Sequence, residues 1–159
     1  MIQIKHIRID DRLIHGQIIT AWLSDAQSNM IIVADDKSSK DPLSRTLFQL
    51  AVPNNIALEV VGQKQAAELL QDEGKSGNAL LIVRGVKELN DLLESGVPMT
   101  SVNVGNISQH PKKKKFSKSI WLDEEEIALL KELNAKGIEL EVRVVPSDRK
   151  VNIMELIKA

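Results

Sequence analysis

RIDDRLIHGQ, residues 8–17, joins a short apolar run to an amphipathic helical pattern. The pattern predicts a loop that leaves the first strand and places His15 at or near a helix N-terminus. The free backbone N–H groups and the positive dipole end of a helix favour an anion there. Arginine adds bidentate recognition of phosphate, and a histidine can accept and pass on a phosphoryl group. The alternative interpretation is that the charges are solvated and His15 is only a helix cap.

Further apolar runs alternate with helical patterns along the chain. Most of these runs lack strict alternation, as expected for strands that are covered on both faces. The predicted buried strands lie near residues 7–9, 31–34, 56–61, 79–83, 101–104 and 119–122. Strands that alternate with helices predict a doubly wound, mostly parallel open sheet with helices on both faces. Residues 138–145 alternate apolar and charged side chains, which favours an antiparallel edge strand with one solvent-exposed face.

Capping signals mark several of the predicted helices. A capping aspartate followed by proline starts one at Asp41, and Asp123 with Glu126 has the spacing of a capping box. The predicted helices carry Ile14, Ile18 and Trp22; Leu43, Leu47 and Leu50, ending before Pro53; residues 65–72; Val86, Leu89, Leu92 and Leu93, ended by Gly96; Ile127 and Leu130, ended by Gly137; and a short last one capped by Asn152 and Glu155. No linker or repeat interrupts the pattern, so residues 1–159 are expected to form one domain.

Composition excludes several classes of protein. The chain has no cysteine, which rules out disulfides, thiolate metal sites and cysteine nucleophiles. Its net charge is −1, so no general attraction to nucleic acid or an anionic membrane is implied. No nucleotide-binding glycine loop and no histidine–carboxylate group with metal-ligand spacing occurs, so no cofactor or metal is expected. Without a leader or an apolar run of about 18 residues, a soluble cytoplasmic protein is expected.

Polar residues follow several of the predicted strands. These are residues 10–15, Asp35 and Asp36, Arg84, and residues 105–106. Open α/β sheets bind ligands beyond the carboxyl ends of their strands, so one crevice is expected to collect these residues.

Residues 8–17 resemble the active-site loop of the IIB components of the sugar phosphotransferase system, mannose/sorbose type. Residues 33–36 with Asp41 and Pro42, residues 102–106 and residues 144–146 resemble that family as well. The resemblance covers nearly the whole chain. Many members carry Gly-Met-His after the Val-Gly pair, whereas residues 106–110 here read Asn-Ile-Ser-Gln-His. A role of that loop histidine is therefore not transferred to His110, which is expected to be an exposed loop residue.

The resemblance implies that His15 accepts a phosphoryl group, through Nδ1, from a histidine of a IIA protein. The group would then pass to a sugar bound by the membrane components IIC and IID, which would hold the chain at the inner face of the membrane. The implied sugars are mannose, fructose, sorbose or an amino sugar such as N-acetylgalactosamine. Formation of a homo-oligomer stays open.

Other residues of the segment are candidates for supporting His15. Arg12 is the expected phosphate clamp, and Asp10 is expected to orient His15 or anchor Arg12. Arg8 lies in the strand, and its side chain could point either into the protein or toward the site. Gly16 lets a bulky anion approach the backbone, and Gln17 follows it at the start of the helix.

The remaining candidates have weaker functional interpretations. Arg84 and Asp35 are candidates for supporting the residues that contact phosphate, although Asp35 and Asp36 fit turn and capping positions better than catalytic ones. His6 is expected at the surface beside the strand. The four lysines at 112–115 fit a solvated loop better than a contact with an acidic partner or lipid headgroups, and the absence of interleaved aromatics argues against nucleic acid.

Two other functions compete with a phosphocarrier. A receiver-like signalling domain would use the acidic pair Asp10–Asp11, but it needs an acceptor aspartate after strand three and a lysine after strand five. The chain has Val-Val-Gly-Gln at 60–63 and Val-Gly-Asn at 104–106 instead. The third possibility is a non-catalytic binding module on a Rossmann-like scaffold.

Overall fold

The computed structural model describes residues 1–158, which form nine strands and seven helices. The strands are β1 Gln3–Asp10, β2 Met30–Ala34, β3 Ala57–Val61, β4 Asn78–Val83, β5 Ser101–Asn106, β6 Lys114–Lys115, β7 Trp121–Leu122, β8 Glu139–Val142 and β9 Val151–Asn152. The helices are α1 Gly16–Asp25, α2 Asp36–Ser39, α3 Pro42–Ala51, α4 Gln63–Leu70, α5 Val86–Glu94, α6 Glu124–Ala135 and α7 Ile153–Lys158.

Seven strands form one sheet in the order β3-β2-β4-β1-β5-β8-β9. All neighbours in it are parallel except β8 and β9, which pair antiparallel. The predicted mostly parallel, open α/β sheet with an antiparallel edge is therefore confirmed. The chain order reverses beside β1, because β4 lies on one side of it and β5 on the other. Loops that leave β1 and its neighbours consequently meet at the switch point where such sheets bind ligands.

The assignment of the edge strand to residues 138–145 was wrong. The strand over these residues, β8, ends at Val142 and pairs in parallel with β5, while β9 forms the edge. The charged residue Glu141 is 3% exposed, because Arg143 donates two hydrogen bonds to its carboxylate. In this strand the alternating pattern therefore reflects a buried charge, Glu141, that is paired with Arg143, whereas we expected a solvent-exposed face.

The run at 119–122 does not join the main sheet. Trp121–Leu122 pairs antiparallel with Lys114–Lys115 as a separate two-stranded sheet. The lysine run, expected as a loop, therefore contributes a short strand. Helix α2 was not predicted, since four residues are too few to show a helical period.

Hydrophobic residues fill both faces of the sheet. One cluster gathers side chains of α1 with Phe48 of α3, and the other gathers α4, α5, α6 and α7. Helices therefore cover both faces, as predicted. Within residues 1–158, no helix has the length and apolar character needed to cross a bilayer.

Most of the predicted capping signals act as expected. The Asp41 carboxylate accepts the N–H of Leu43, and Asp123 and Glu126 form a reciprocal capping box. Of the pair predicted to cap the last helix, Asn152 accepts the N–H of Met154 at the start of α7, but Glu155 makes no reciprocal hydrogen bond within the described residues. These side chains satisfy backbone donors that have no partner within their own helices.

Helix α3 differs from the other helices because it buries none of its residues. Its leucines Leu43, Leu47 and Leu50 are 66%, 55% and 78% exposed. Ser44 and Phe48 are half-buried instead, so the inner face of the helix is the one that carries Phe48.

Candidate active site

Asp10, the last residue of β1, is the centre of a buried cluster of polar side chains. Its side chain is 0% exposed and accepts hydrogen bonds from Arg8, Arg12 and His15. Arg8 Nη2 lies 3.1 Å and His15 Nε2 2.7 Å from Oδ2, and Arg12 Nε lies 3.2 Å from Oδ1. The backbone N–H of Arg12 also donates to Oδ1, at 3.0 Å. One carboxylate therefore holds two guanidinium groups and the imidazole together.

The hydrogen bond to Asp10 orients the imidazole of His15. A carboxylate can only accept, so Nε2 carries a proton and the lone pair of the neutral ring is on Nδ1. No protein group among residues 1–158 makes a hydrogen bond to Nδ1, and the side chain is 23% exposed. His15 is the N-cap of α1 but makes no side-chain capping bond. The ring consequently offers a free, partly exposed nitrogen lone pair.

The loop between β1 and α1 reaches this geometry through left-handed backbone conformations. Leu13 has φ 60° and Gly16 has φ 46°. The buried Leu13 side chain anchors the turn, and its N–H donates to the carbonyl of Asp10 at 2.9 Å. At Gly16 a Cβ would meet no atom within 4 Å, so the positive φ explains the glycine and crowding does not.

Gly16 and Gln17 occupy the first two positions of α1. Their backbone N–H groups lie in the first turn, where no acceptor exists within the helix. The Gln17 side chain is exposed and forms no hydrogen bond with the described residues, so the structure does not bring it into the Asp10 cluster. The start of α1 therefore presents backbone donors beside the ring of His15.

Arg8 faces the interior of the protein. It is fully buried, and its Nη1 donates to Asn103 Oδ1 at 2.6 Å and to the carbonyl of Arg143 at 3.1 Å. Its guanidinium lies directly over Gly105, where an added Cβ would overlap Arg8 Cζ. Of the two directions that the sequence allowed, Arg8 thus takes the inward one, beneath Asp10.

The charges of the cluster support one another. Burial acts to raise the pKa of Asp10, but hydrogen bonds from His15 and Arg12 and the charge of Arg8 outweigh it and hold that pKa below its ordinary value. Burial lowers the pKa of Arg8, and Asp10 opposes the change. The lowered pKa favours the carboxylate form of Asp10, which gives His15 a negatively charged partner.

Asp35 and Arg84 form a second pair beside the first loop. Arg84 donates from Nε and Nη2 to the two oxygens of Asp35, at 3.1 and 2.8 Å. Asp35 also caps α2, as expected, by accepting the N–H of Ser38 at 3.0 Å. Asp36 does not cap this helix; its carboxylate accepts the N–H of Gln63.

The second pair touches the first loop by a single contact. Arg84 Nη1 donates to the carbonyl of Asp11 at 3.4 Å. The structure thus sets Asp35 and Arg84 beside the β1–α1 loop but forms no direct hydrogen bond between them and the Asp10 cluster.

Asp11 was not predicted as a site residue, although it lies within residues 8–17. Its carboxylate accepts Asn106 Nδ2 at 2.8 Å, and Ser108 from both N–H and Oγ, at 2.7 and 2.8 Å. These bonds fix the loop after β5 against the loop after β1. The sequence signal for Asp11 was its position beside Asp10. Each of the two adjacent aspartates anchors a different set of neighbours.

His6 is half-buried rather than exposed at the surface beside the strand, contrary to expectation. It lies within β1 and stacks on Trp22, with ring centroids 4.3 Å apart. Burial, with the nearby charges of Arg8 and Arg143, lowers the pKa of His6 to about 4. His110 is exposed, as predicted, and its Nδ1 accepts the N–H of Lys112 in a turn.

Across residues 1–158, no group of three or more carboxylate or histidine side chains is arranged to hold a metal ion. The chemistry that the site offers is therefore that of the imidazole, the arginines and the backbone donors.

The doubly wound α/β fold of this chain is shared with solved structures of a known class of protein. The crystal structure of the IIB domain of the sorbose permease from Klebsiella pneumoniae matches with a TM-score of 0.94 and 32% identity over 98% of this chain and 96% of that one. The model of the sorbose-subfamily IIB component of the phosphotransferase system matches residues 4–159. The chain belongs to this family.

Two sequence relatives define the extent of the match. The fructose-specific EIIB component of Bacillus subtilis strain 168 is 31% identical over 99% of this chain and 98% of its own length. The mannose-specific EIIAB component of Escherichia coli K12 is 36% identical over 94% of this chain. The matching region is only 47% of that longer protein, so the chain spans about half of its length.

Proposed function

We propose that this chain is a phosphocarrier in which His15 Nδ1 takes a phosphoryl group from a histidine of a IIA protein and passes it to a sugar. The observation that carries the proposal is the 2.7 Å contact between His15 Nε2 and Asp10. It ties one nitrogen of the ring to a buried carboxylate and leaves the other with its lone pair partly exposed. Membership of the IIB family supports a role in sugar phosphotransfer in general.

The step balances without a cofactor. The lone pair of Nδ1 attacks phosphorus, the bond from phosphorus to the donor nitrogen breaks, and that nitrogen keeps the electron pair. Forming the new bond makes the imidazole of His15 cationic, and the negative Asp10 stabilises that charge through Nε2–H. Phosphoryl transfer requires mainly positioning and neutralisation of charge, which these groups supply.

Arg12 is the expected phosphate clamp. Its side chain is 44% exposed, whereas that of Arg8 is 0% exposed. Arg12 also rests on Asp10 through the longer contacts, at 3.2 and 3.3 Å. A guanidinium that is partly exposed and held at the edge of the cluster can turn one face to phosphate while Arg8 stays beneath Asp10. The first N–H groups of α1 add uncharged donors for the same oxygens.

The proposed partners are a IIA donor and the membrane components IIC and IID, which would hold the sugar at the inner face of the membrane. Relatives of this chain carry the names of different sugars, including sorbose, fructose and mannose. We therefore infer that the sugar is selected by the membrane components.

A receiver-like function is disfavoured by the state of the two aspartates after β1. Both carboxyl oxygens of Asp10 already accept hydrogen bonds from arginine or histidine, and both of Asp11 accept from Asn106 or Ser108. A receiver keeps such carboxylates available for a metal ion. The carboxylates of Asp10 and Asp11 instead hold the loops in place through these hydrogen bonds.

Transfer of radioactive phosphate from phosphorylated IIA tests the proposal. We expect the wild-type chain and a His110→Ala control to take up label that is lost in acid and survives alkali, as a phosphohistidine does. His15→Ala should fold normally and take up none. Normal labelling of His15→Ala, or label lost in alkali, would refute the assignment, and no label on wild type would favour the binding module.

A further inference from the structure

Helix α3 presents a row of leucines to solvent. Leu43, Leu47 and Leu50 are each more than half exposed, and with Met1 they are the exposed large hydrophobic side chains of residues 1–158. Their spacing of four and then three residues places them on one side of the helix. We call these three residues the leucine stripe. A contiguous apolar patch on a protein surface is typical of a contact with another molecule.

The leucine stripe lies on the side of the sheet that carries His15. Phe48, from the inner face of α3, packs against the same hydrophobic cluster as Ile18 and Trp22 of α1. Helices α1 and α3 therefore cover the same face, and α1 begins at His15. A partner that brings a phosphoryl group to His15 approaches at the end of α1, and α3 is the exposed apolar element on that face.

The size of the leucine stripe argues against a permanent partner. A stable interface needs about 800 Å² from each side, and three partly exposed leucines supply much less. Burial of leucine side chains favours association, but much of that gain is offset by the entropy lost on association. The leucine stripe therefore fits a transient partner better than a permanent dimer of this chain.

The charges around the leucine stripe identify the kind of partner. Helix α3 contains Arg45 and no acidic residue, and Lys37 and Lys40 precede it. These three cationic side chains outnumber the two carboxylates of the same segment, Asp36 and Asp41, so residues 36–51 carry a net charge of +1.

With the partly exposed Arg12, this face is apolar and cationic before phosphorylation. A donor whose histidine is phosphorylated brings negative charge to the face. An acceptor of the phosphoryl group binds this face only after His15 is phosphorylated, when the phosphoryl group has already compensated the positive charge. The charge of the face therefore favours the donor.

We propose that the leucine stripe is the docking surface for the phosphorylated IIA donor; this inference rests on the proposed function. The test uses Leu47→Gln with Leu50→Gln, and Gln49→Ala on the same helix as the matched control. Initial rates of transfer from phosphorylated IIA are measured over a range of concentrations of this chain. We expect the double variant to raise KM about tenfold, the loss of roughly 1.4 kcal/mol of binding, with kcat unchanged, and the control to match wild type.

Phosphoramidate, a small phosphoryl donor that needs no docking, separates the two proposals. Labelling of His15 by phosphoramidate at the wild-type rate in the double variant, with a raised KM for IIA, supports the docking surface. Failure of phosphoramidate to label wild-type His15 would count against the proposed function itself.

An unchanged KM overturns the docking proposal. If it is accompanied by loss of a concentration-dependent dimer in sedimentation, the occupant is a second copy of this chain. If it is accompanied by loss of binding to vesicles containing anionic phospholipid, the occupant is a lipid surface.

Discussion

Mild acid is expected to destabilise the protein through His6, before the buried carboxylates are protonated. The pKa of His6 is lowered from its ordinary value of 6.5 to about 4, chiefly by burial. A depressed pKa means that the folded state holds the neutral ring. The stabilisation is therefore fully present above pH 6.5 and is lost as pH falls toward 4. A pKa difference of one corresponds to about 1.36 kcal/mol, so the full loss is about 3 kcal/mol.

Urea unfolding at intervals between pH 7 and pH 4 measures this loss. His6→Phe is the matched variant, because it keeps a ring to stack on Trp22 and removes the titrating group. We expect the free energy of unfolding of wild type to fall by about 3 kcal/mol more than that of His6→Phe across this range. If the free energy of unfolding falls equally with pH in both proteins, the account is refuted, because a shared pH dependence must come from titrating groups other than His6.

Three further predictions concern the cluster around Asp10. Asp10→Asn leaves the guanidinium of Arg8 buried without its carboxylate, so urea unfolding should show a loss of about 3–5 kcal/mol; an unchanged midpoint would contradict the ion pair. Gly105→Ala places a Cβ onto Arg8, and calorimetry should show a loss of about 1–3 kcal/mol, as at other overpacked positions. Arg12→Ala should slow labelling of His15 by IIA about ten- to a hundredfold, because a charge-assisted hydrogen bond is worth about 1.5–3 kcal/mol. Arg12→Lys should recover part of that rate, since lysine lacks the planar fork; equal rates for Arg12→Ala and wild type would rule out the clamp.

Local patterns predicted most of the fold because they report on burial and capping. The buried strands β2 and β4 are continuous apolar runs, and Asp41 and Asp123 mark the starts of α3 and α6. The prediction failed where the partner of a side chain is distant or where the element is short. Glu141 is buried because Arg143 neutralises it, and alternation alone cannot distinguish that arrangement from a solvent-exposed charge.

The candidate site was predictable to the extent that it lies in one segment. His15, Arg12 and Asp10 are within six residues, so their proximity follows from a single turn. The support beneath Asp10 was not predictable, because Asn103 comes from β5, some 95 residues after Arg8 in the chain. Arg8 and Asn103 lie on two different predicted strands and become partners only because the sheet places those strands side by side.

The tether between His15 and the buried Asp10 has a consequence for the order of events. With Nε2 turned inward, the ring has a single usable edge, and any molecule that exchanges a phosphoryl group with it has to enter by that edge. Donor and acceptor therefore compete for the same exposed edge of the ring and cannot bind there at the same time. If the chain is the proposed phosphocarrier, a large excess of unphosphorylated donor should therefore slow transfer of the phosphoryl group to the sugar.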